Sequence, residues 1–220
     1  VNRRDFSARL LGTGIGAVAT SLLAPAGTAM AQSGVPVEGQ QFTKVEPPVP
    51  PIVPGKIEVI EFFSYACPHC SVFEPTVEAW EKKLPADVAF HRVPVPFLMN
   101  FENLMRTYYA LETMGQVGTM QRKIFTAIHV DHNYLEKPAD IAALMAKNGL
   151  DAAKFTSVFN SFSVASSVTR AKKIFAAYKI DGVPTIAVQG RWETSPGQAG
   201  GQEQTMVVTD YLIQRARIKA

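Results

Sequence analysis

Apolar residues change period several times along this chain, and each change marks an element. Residues 56–65 (KIEVIEFFSY) carry apolar side chains at both parities and are rich in β-branched and aromatic types, which predicts a strand buried on both faces. Ile57, Val59 and Phe63 share one of those faces with Glu61, so that carboxyl group is expected to be desolvated, with a raised pKa. Val72, Phe73, Val77 and Trp80 then recur at helical spacing, predicting a helix over 68–83 that stops before Pro85 and kinks at Pro75. Residues 86–95 (ADVAFHRVPV) predict a second strand, which closes a βαβ unit.

Between residues 97 and 163 strand character disappears. Leu104, Tyr108 and Leu111, then Ile141, Leu144 and Met145, then Phe155, Val158 and Phe159 repeat at three and four, broken by Gly149 and by Pro138-Ala139-Asp140. This pattern predicts a subdomain of about four helices. Helical spacing continues through Val164, Val168, Ala171, Ile174 and Tyr178 as one long helix. Residues 184–188 and 191–194 predict a hairpin around Gln189-Gly190, residues 195–204 a Gly- and Gln-rich loop, and Val207 to Ile218 a closing helix. Residues 32–56 are rich in Pro and Gly and read as an extended lead-in with at most a short strand at 42–45. The organisation expected is α/β, with residues 32–96 and 164–220 forming one domain interrupted by an all-helical insert at 97–163.

The first 31 residues stand apart. Arg3, Arg4 and Arg9 precede a mildly apolar run from Leu10 to Ala24, followed by Ala29-Met30-Ala31, the A-x-A form of a cleavage site. The run spans 15 residues, short of the roughly 20 a membrane-spanning helix needs. An export signal cleaved near Ala31 is therefore expected, and Arg3-Arg4-Asp5-Phe6 resembles a twin-arginine signal. The formal net charge of +3 comes largely from that segment, which leaves the remainder near neutral and gives no footprint for nucleic acid.

Export bears on the chemistry, because only two cysteines occur, Cys67 and Cys70, in Tyr65-Ala66-Cys67-Pro68-His69-Cys70-Ser71. Haem attachment requires a histidine after the second cysteine, where Ser71 stands. Structural zinc requires four ligands and no other cysteine is present; His129 and His132 could be imagined as partners, but both read as surface residues of the helical insert. A purely structural disulfide over so short a loop would stabilise little. A cycling dithiol is left, and outside the cytosol its disulfide persists. With a strand ending near Tyr65 and a helix starting at Pro68, Cys67 falls at the helix N-cap, where free N–H groups and the dipole favour a thiolate. Cys67 is expected to be the exposed nucleophile, Cys70 the resolving thiol one turn inward, and His69 a donor or cation that stabilises the reduced form. No metal or cofactor is expected.

The segments EVIEFFSYACPHCSVFEP and GVPTIAVQGRW, the KVEPPV lead-in and the helical insert, in that order, resemble the DsbA family of thioredoxin-fold disulfide oxidoreductases over nearly all of the chain after the signal. The resemblance implies a thioredoxin fold with a helical insertion. It also implies that Pro184 is a cis-proline beside the dithiol, with the Val183 backbone offered to an extended substrate segment. Glu61 would be the buried acid that takes or relays the proton of Cys70, and Glu74 a second acid near the site. The activity implied is oxidation of newly exported proteins in the periplasm, with a membrane quinone-linked oxidase of the DsbB type restoring the disulfide of a monomeric enzyme. The rivals are a thioredoxin-superfamily isomerase or reductase, and a peptide-binding chaperone that uses the scaffold without the sulfur. The Met residues of the insert (Met99, Met105, Met114, Met120) read as core or as part of an adaptable substrate surface.

Overall fold

The computed structural model describes residues 34–218, so the expected export signal lies outside the described residues. Strand β1 (Thr43–Lys44) leads into β2 (Ile57–Phe63), helix α1 (Pro68–Glu81) and β3 (Val88–Pro94). Four helices follow, α2 (Phe101–Thr113), α3 (Val117–His129), α4 (Pro138–Lys147) and α5 (Ala152–Phe159), then the long α6 (Phe162–Tyr178). The hairpin β4 (Thr185–Val188) and β5 (Trp192–Thr194) and the helices α7 (Pro196–Ala199) and α8 (Gln202–Ile218) complete the chain. No helix among the described residues is long and apolar enough to cross a membrane.

The strands form one sheet in the order β1-β5-β4-β2-β3. Central β2 is buried at all seven positions, as apolar residues at both parities require. It pairs parallel with β3, Ile57 opposite Val88 and Glu61 opposite Arg92, and antiparallel with β4, Val59 opposite Val188. The parallel pairing puts the C-terminal end of β3 beside the turn that carries the cysteines, because Val95 N–H donates to the Phe63 carbonyl at 2.9 Å.

Two apolar cores flank the sheet. One gathers Ile57, Val59, Phe73, Val77, Trp80, Val188 and Leu212 between β2, α1 and α8. The other joins Ile60, Phe62 and Tyr65 to Leu104, Tyr108, Ile124, Phe125, Ile141 and Phe155, so the insert shares its core with the sheet rather than closing on its own. Phe63, expected on the face of Ile57 and Val59, packs in this second core, its ring 5.3 Å from Tyr108. Helix α1 runs unbroken through Pro75.

The expected loop at 195–204 is corrected. Ser195 Oγ accepts from Gln198 N–H at 3.3 Å and Pro196 occupies the first helical turn, so a short helix forms before α8 begins at Gln202.

The β4–β5 turn ties the lead-in to the sheet. Val49 N–H donates to the Gly190 carbonyl at 2.9 Å, and a Cβ at Gly190, whose φ is +61°, would lie 1.7 Å from the Val49 carbonyl oxygen. Gly190→Ala is therefore expected to cost about 1–3 kcal/mol, read as a lower urea midpoint at unchanged m.

Candidate active site

The dithiol sits where a buried strand becomes a helix. Cys67 is the N-cap of α1 with extended φ and ψ of −89° and 117°, Pro68 takes the first helical position, and Ser71 N–H closes the first turn on the Cys67 carbonyl at 3.1 Å. Both cysteines are free thiols. Cys70 is fully buried, as expected of the inner thiol, but Cys67 is only 4% exposed, which corrects the expectation of an open nucleophile. Part of its cover is the Val183 carbonyl, which accepts a hydrogen bond from the Cys67 thiol at 3.4 Å. The Val183–Pro184 peptide bond is cis, as the family resemblance implies, and so is Glu46–Pro47, which it did not.

The two sulfurs are electrostatically unlike. The Cys70 side chain, hydrogen-bonded to Cys67, holds the outer thiol down to about 6, against the opposing effect of burial; the Cys70 and His69 backbone N–H groups and the His69 charge assist. Burial, and after it the neighbouring Cys67, pushes Cys70 far upward. One member of the pair is thus a thiolate at neutral pH and the other a thiol.

Beneath the dithiol lies a cluster that sequence reading only half found. Glu61 is 1% exposed, and burial, opposed by the charge of Arg92, pushes its carboxyl up to about 8. The setting is not simply apolar, however. Arg92, facing Glu61 across the β2–β3 register, brings Nε to 2.9 Å of Glu61 Oε2, a contact that is an ion pair only when Glu61 is ionised and whose N–H is not aligned for a hydrogen bond. The same guanidinium donates to Glu74 Oε1 at 3.2 Å and to Glu81 Oε2 at 3.0 Å. Glu74 is buried, and its carboxyl too is raised, chiefly by burial.

Helix α3 adds two groups that were not foreseen at the site. Gln121 accepts from Tyr65 Oη at 2.6 Å and donates to Glu74 Oε2 at 3.2 Å, joining the turn before Cys67 to the acid cluster. His129 donates from Nε2 to the Tyr65 carbonyl at 2.8 Å; it is half-buried over the dithiol turn, not a free surface residue. Only the β2–β3 register could have exposed Arg92, since a lone charge in an apolar strand acquires a partner only once the facing residue is known.

His69, Val183 and Pro184 are among the residues lining a groove of about 420 Å³ beside the dithiol. A thioredoxin-type sheet, an asymmetric dithiol at a helix N-terminus and a cis-proline facing it together define a thiol:disulfide oxidoreductase. The comparisons with known proteins make the class narrower. The chain belongs to the DSBA-like thioredoxin domain family, whose model matches residues 58–211. It is 42% identical over 184 residues to the thiol:disulfide interchange protein DsbA of Pseudomonas aeruginosa, covering 83% of this chain and 86% of the relative. Its likeness to the protein of that name from Burkholderia cepacia is 42% over 200 residues, or 90% and 94% of the two chains. The crystal structure of Pseudomonas aeruginosa DsbA superposes with a TM-score of 0.81 at 41% identity, over 84% of this chain and 96% of that one.

Proposed function

We propose that this enzyme works in the oxidising direction, passing the Cys67–Cys70 disulfide to pairs of thiols in reduced, exported proteins of the periplasm. The observation that carries the direction is the placement of the pair, Cys67 at the N-cap of α1 and Cys70 fully buried behind it, which holds Cys67 down to about 6 and Cys70 up. A stabilised Cys67 thiolate is a good leaving group and favours the reduced enzyme, which makes the disulfide oxidising.

In the first step a substrate thiolate attacks the Cys67 sulfur of the enzyme disulfide. The Cys67–Cys70 bond breaks and Cys70 leaves with the electron pair. Glu61, protonated below about pH 8, relays a proton to that sulfur, which is too buried to remain an anion. A second substrate thiolate then attacks the substrate sulfur of the mixed disulfide and expels Cys67 as a thiolate. The substrate loses two electrons and the enzyme gains them. Pro68 sets the helix start and His69 donates its backbone N–H to the thiolate; the Val183 backbone and Pro184 present the substrate segment to Cys67. A DsbB-type, quinone-linked membrane oxidase would restore the disulfide, and the enzyme would act as a monomer on a thioredoxin domain (32–96 and 164–220) with the helical insert at 97–163.

A stoichiometric assay tests the reading. The oxidised protein, mixed with an equimolar peptide carrying two cysteines, is expected to become reduced while the peptide becomes cyclic; a peptide left reduced would overturn it.

The thiolate also gives a pH signature. A thiol whose pKa falls from about 8.5 when unfolded to about 6 when folded contributes stability that is fully present above the unfolded value and lost as pH falls through the folded one. The stability of the reduced protein relative to the oxidised one is therefore expected to rise between about pH 6 and 8.5. Thermal unfolding of both forms across that range checks it.

A further inference from the structure

The groove beside the dithiol is lined by one imidazole, His69, on α1 and one carboxylate, Asp181, on the segment before Val183. Val183, Pro184 and Val72, which is 61% exposed, supply apolar lining. No Lys or Arg lines it, and its one carboxylate is Asp181, two residues before Val183. Asp181 is exposed and takes part in none of the ion pairs among the described residues. The nearest cation along the chain, Lys179, is turned to the lead-in, its Nζ donating to the Glu46 carbonyl at 2.9 Å. Glu193 lies outside the groove, accepting from Thr43 Oγ1 at 3.4 Å; its carboxyl is raised by burial and, in smaller part, by the charge of Asp181.

An extended segment that places its cysteine at Cys67 and runs past Val183 enters the groove that Asp181 also lines, two residues away along the chain. We propose that Asp181 is a specificity residue, which favours substrate segments carrying Lys or Arg next to the reacting cysteine over those carrying Asp or Glu. This rests on the oxidising exchange proposed above and names the substrate class it prefers. The pair is solvent-exposed, so the preference acts through encounter and weak Coulomb attraction, and salt should erase it.

The test uses the oxidised full chain and three two-cysteine peptides that differ only in one residue beside the first cysteine: Lys, Gln or Glu. At an ionic strength of about 0.01 M the second-order rate of peptide oxidation is expected to fall in that order, with a Lys-to-Glu ratio of about 2–10. The ratio should approach one at about 1 M salt, where screening acts within about 3 Å. In Asp181→Asn it should also approach one, and in Asp181→Lys it should invert. Each ratio is taken within one protein preparation, so loss of folded material cancels, and the salt series needs no variant. A ratio of one in the unaltered protein at low salt, or an unchanged ratio in Asp181→Asn, would overturn the proposal while leaving the oxidase reading intact. Failure to oxidise any of the three peptides would overturn both.

Discussion

Replacing Arg92 with Leu is expected to destabilise the protein by about 3–5 kcal/mol at neutral pH, the scale for removing one partner from a buried ion cluster. The guanidinium is 7% exposed and reaches three carboxylates, Glu61, Glu74 and Glu81, at 2.9, 3.2 and 3.0 Å. Without it, Glu61 and Glu74 remain buried with no cation to offset their desolvation, and they respond by holding their protons. The loss therefore depends on pH, with a definite sign. Burial already places Glu61 at about 8, above the unfolded carboxylate at about 4.3, so folding takes up a proton and stability falls as pH rises across that window. The variant raises the Glu61 carboxyl further, so it goes on losing stability above about pH 8, where the unaltered protein levels off, and its deficit should grow from pH 7 to pH 9. Arg92→Lys keeps the charge but cannot fork to three acceptors, and should fall between. Urea midpoints at pH 7 and pH 9 measure both effects, and an equal deficit at the two values would contradict this view of the cluster.

Cys67→Ser should abolish exchange altogether, whereas Cys70→Ser should stop it half-way. With Cys67 gone, the sulfur that substrate attacks is absent, and the buried Cys70, whose pKa burial raises, offers no thiolate in its place. With Cys70 gone, Cys67 keeps its N-cap position and forms mixed disulfides that no resolving thiol from within the enzyme can break. Mass spectrometry after mixing each variant with a peptide disulfide should show no adduct on Cys67→Ser and a persistent one on Cys70→Ser. Cys70→Ala, which leaves no hydroxyl to donate in place of the thiol, removes the hydrogen bond that contributes most to lowering Cys67, so its remaining thiol should titrate above about 6. A peptide-binding chaperone that ignored the sulfur would be indifferent to these substitutions.

Much of this architecture is legible in the chain because local physics and tertiary packing agree. Strand β2 announces itself through apolar residues at both parities, and the insert through its three-and-four spacing. The dithiol is legible for a different reason: two cysteines, two residues apart, between a buried strand and a proline that starts a helix, leave little else for sulfur to do. Failures occur where the partner comes from afar. Cys67 reads as open because its cover, the Val183 carbonyl, lies 116 residues along the chain. Glu61 reads as a carboxyl in an apolar wall because Arg92 becomes its neighbour only through the β2–β3 register. Gln121 and His129 look like ordinary helix residues until α3 is laid across the Tyr65 turn. Helix α7 is a different case. Ser195-Pro196 is a local helix-start signal, outweighed in the reading by the glycines and glutamines after it.

The oxidising direction is the centre of the proposed function, and the reduction potential of the Cys67–Cys70 pair, measured against a glutathione series, tests it most directly. An asymmetric pair with Cys67 held down to about 6 should equilibrate well above thioredoxin's value of about −270 mV and toward the value established for DsbA-type oxidants, about −120 mV. A potential at or below about −270 mV would make the protein a reductant and contradict the oxidase assignment.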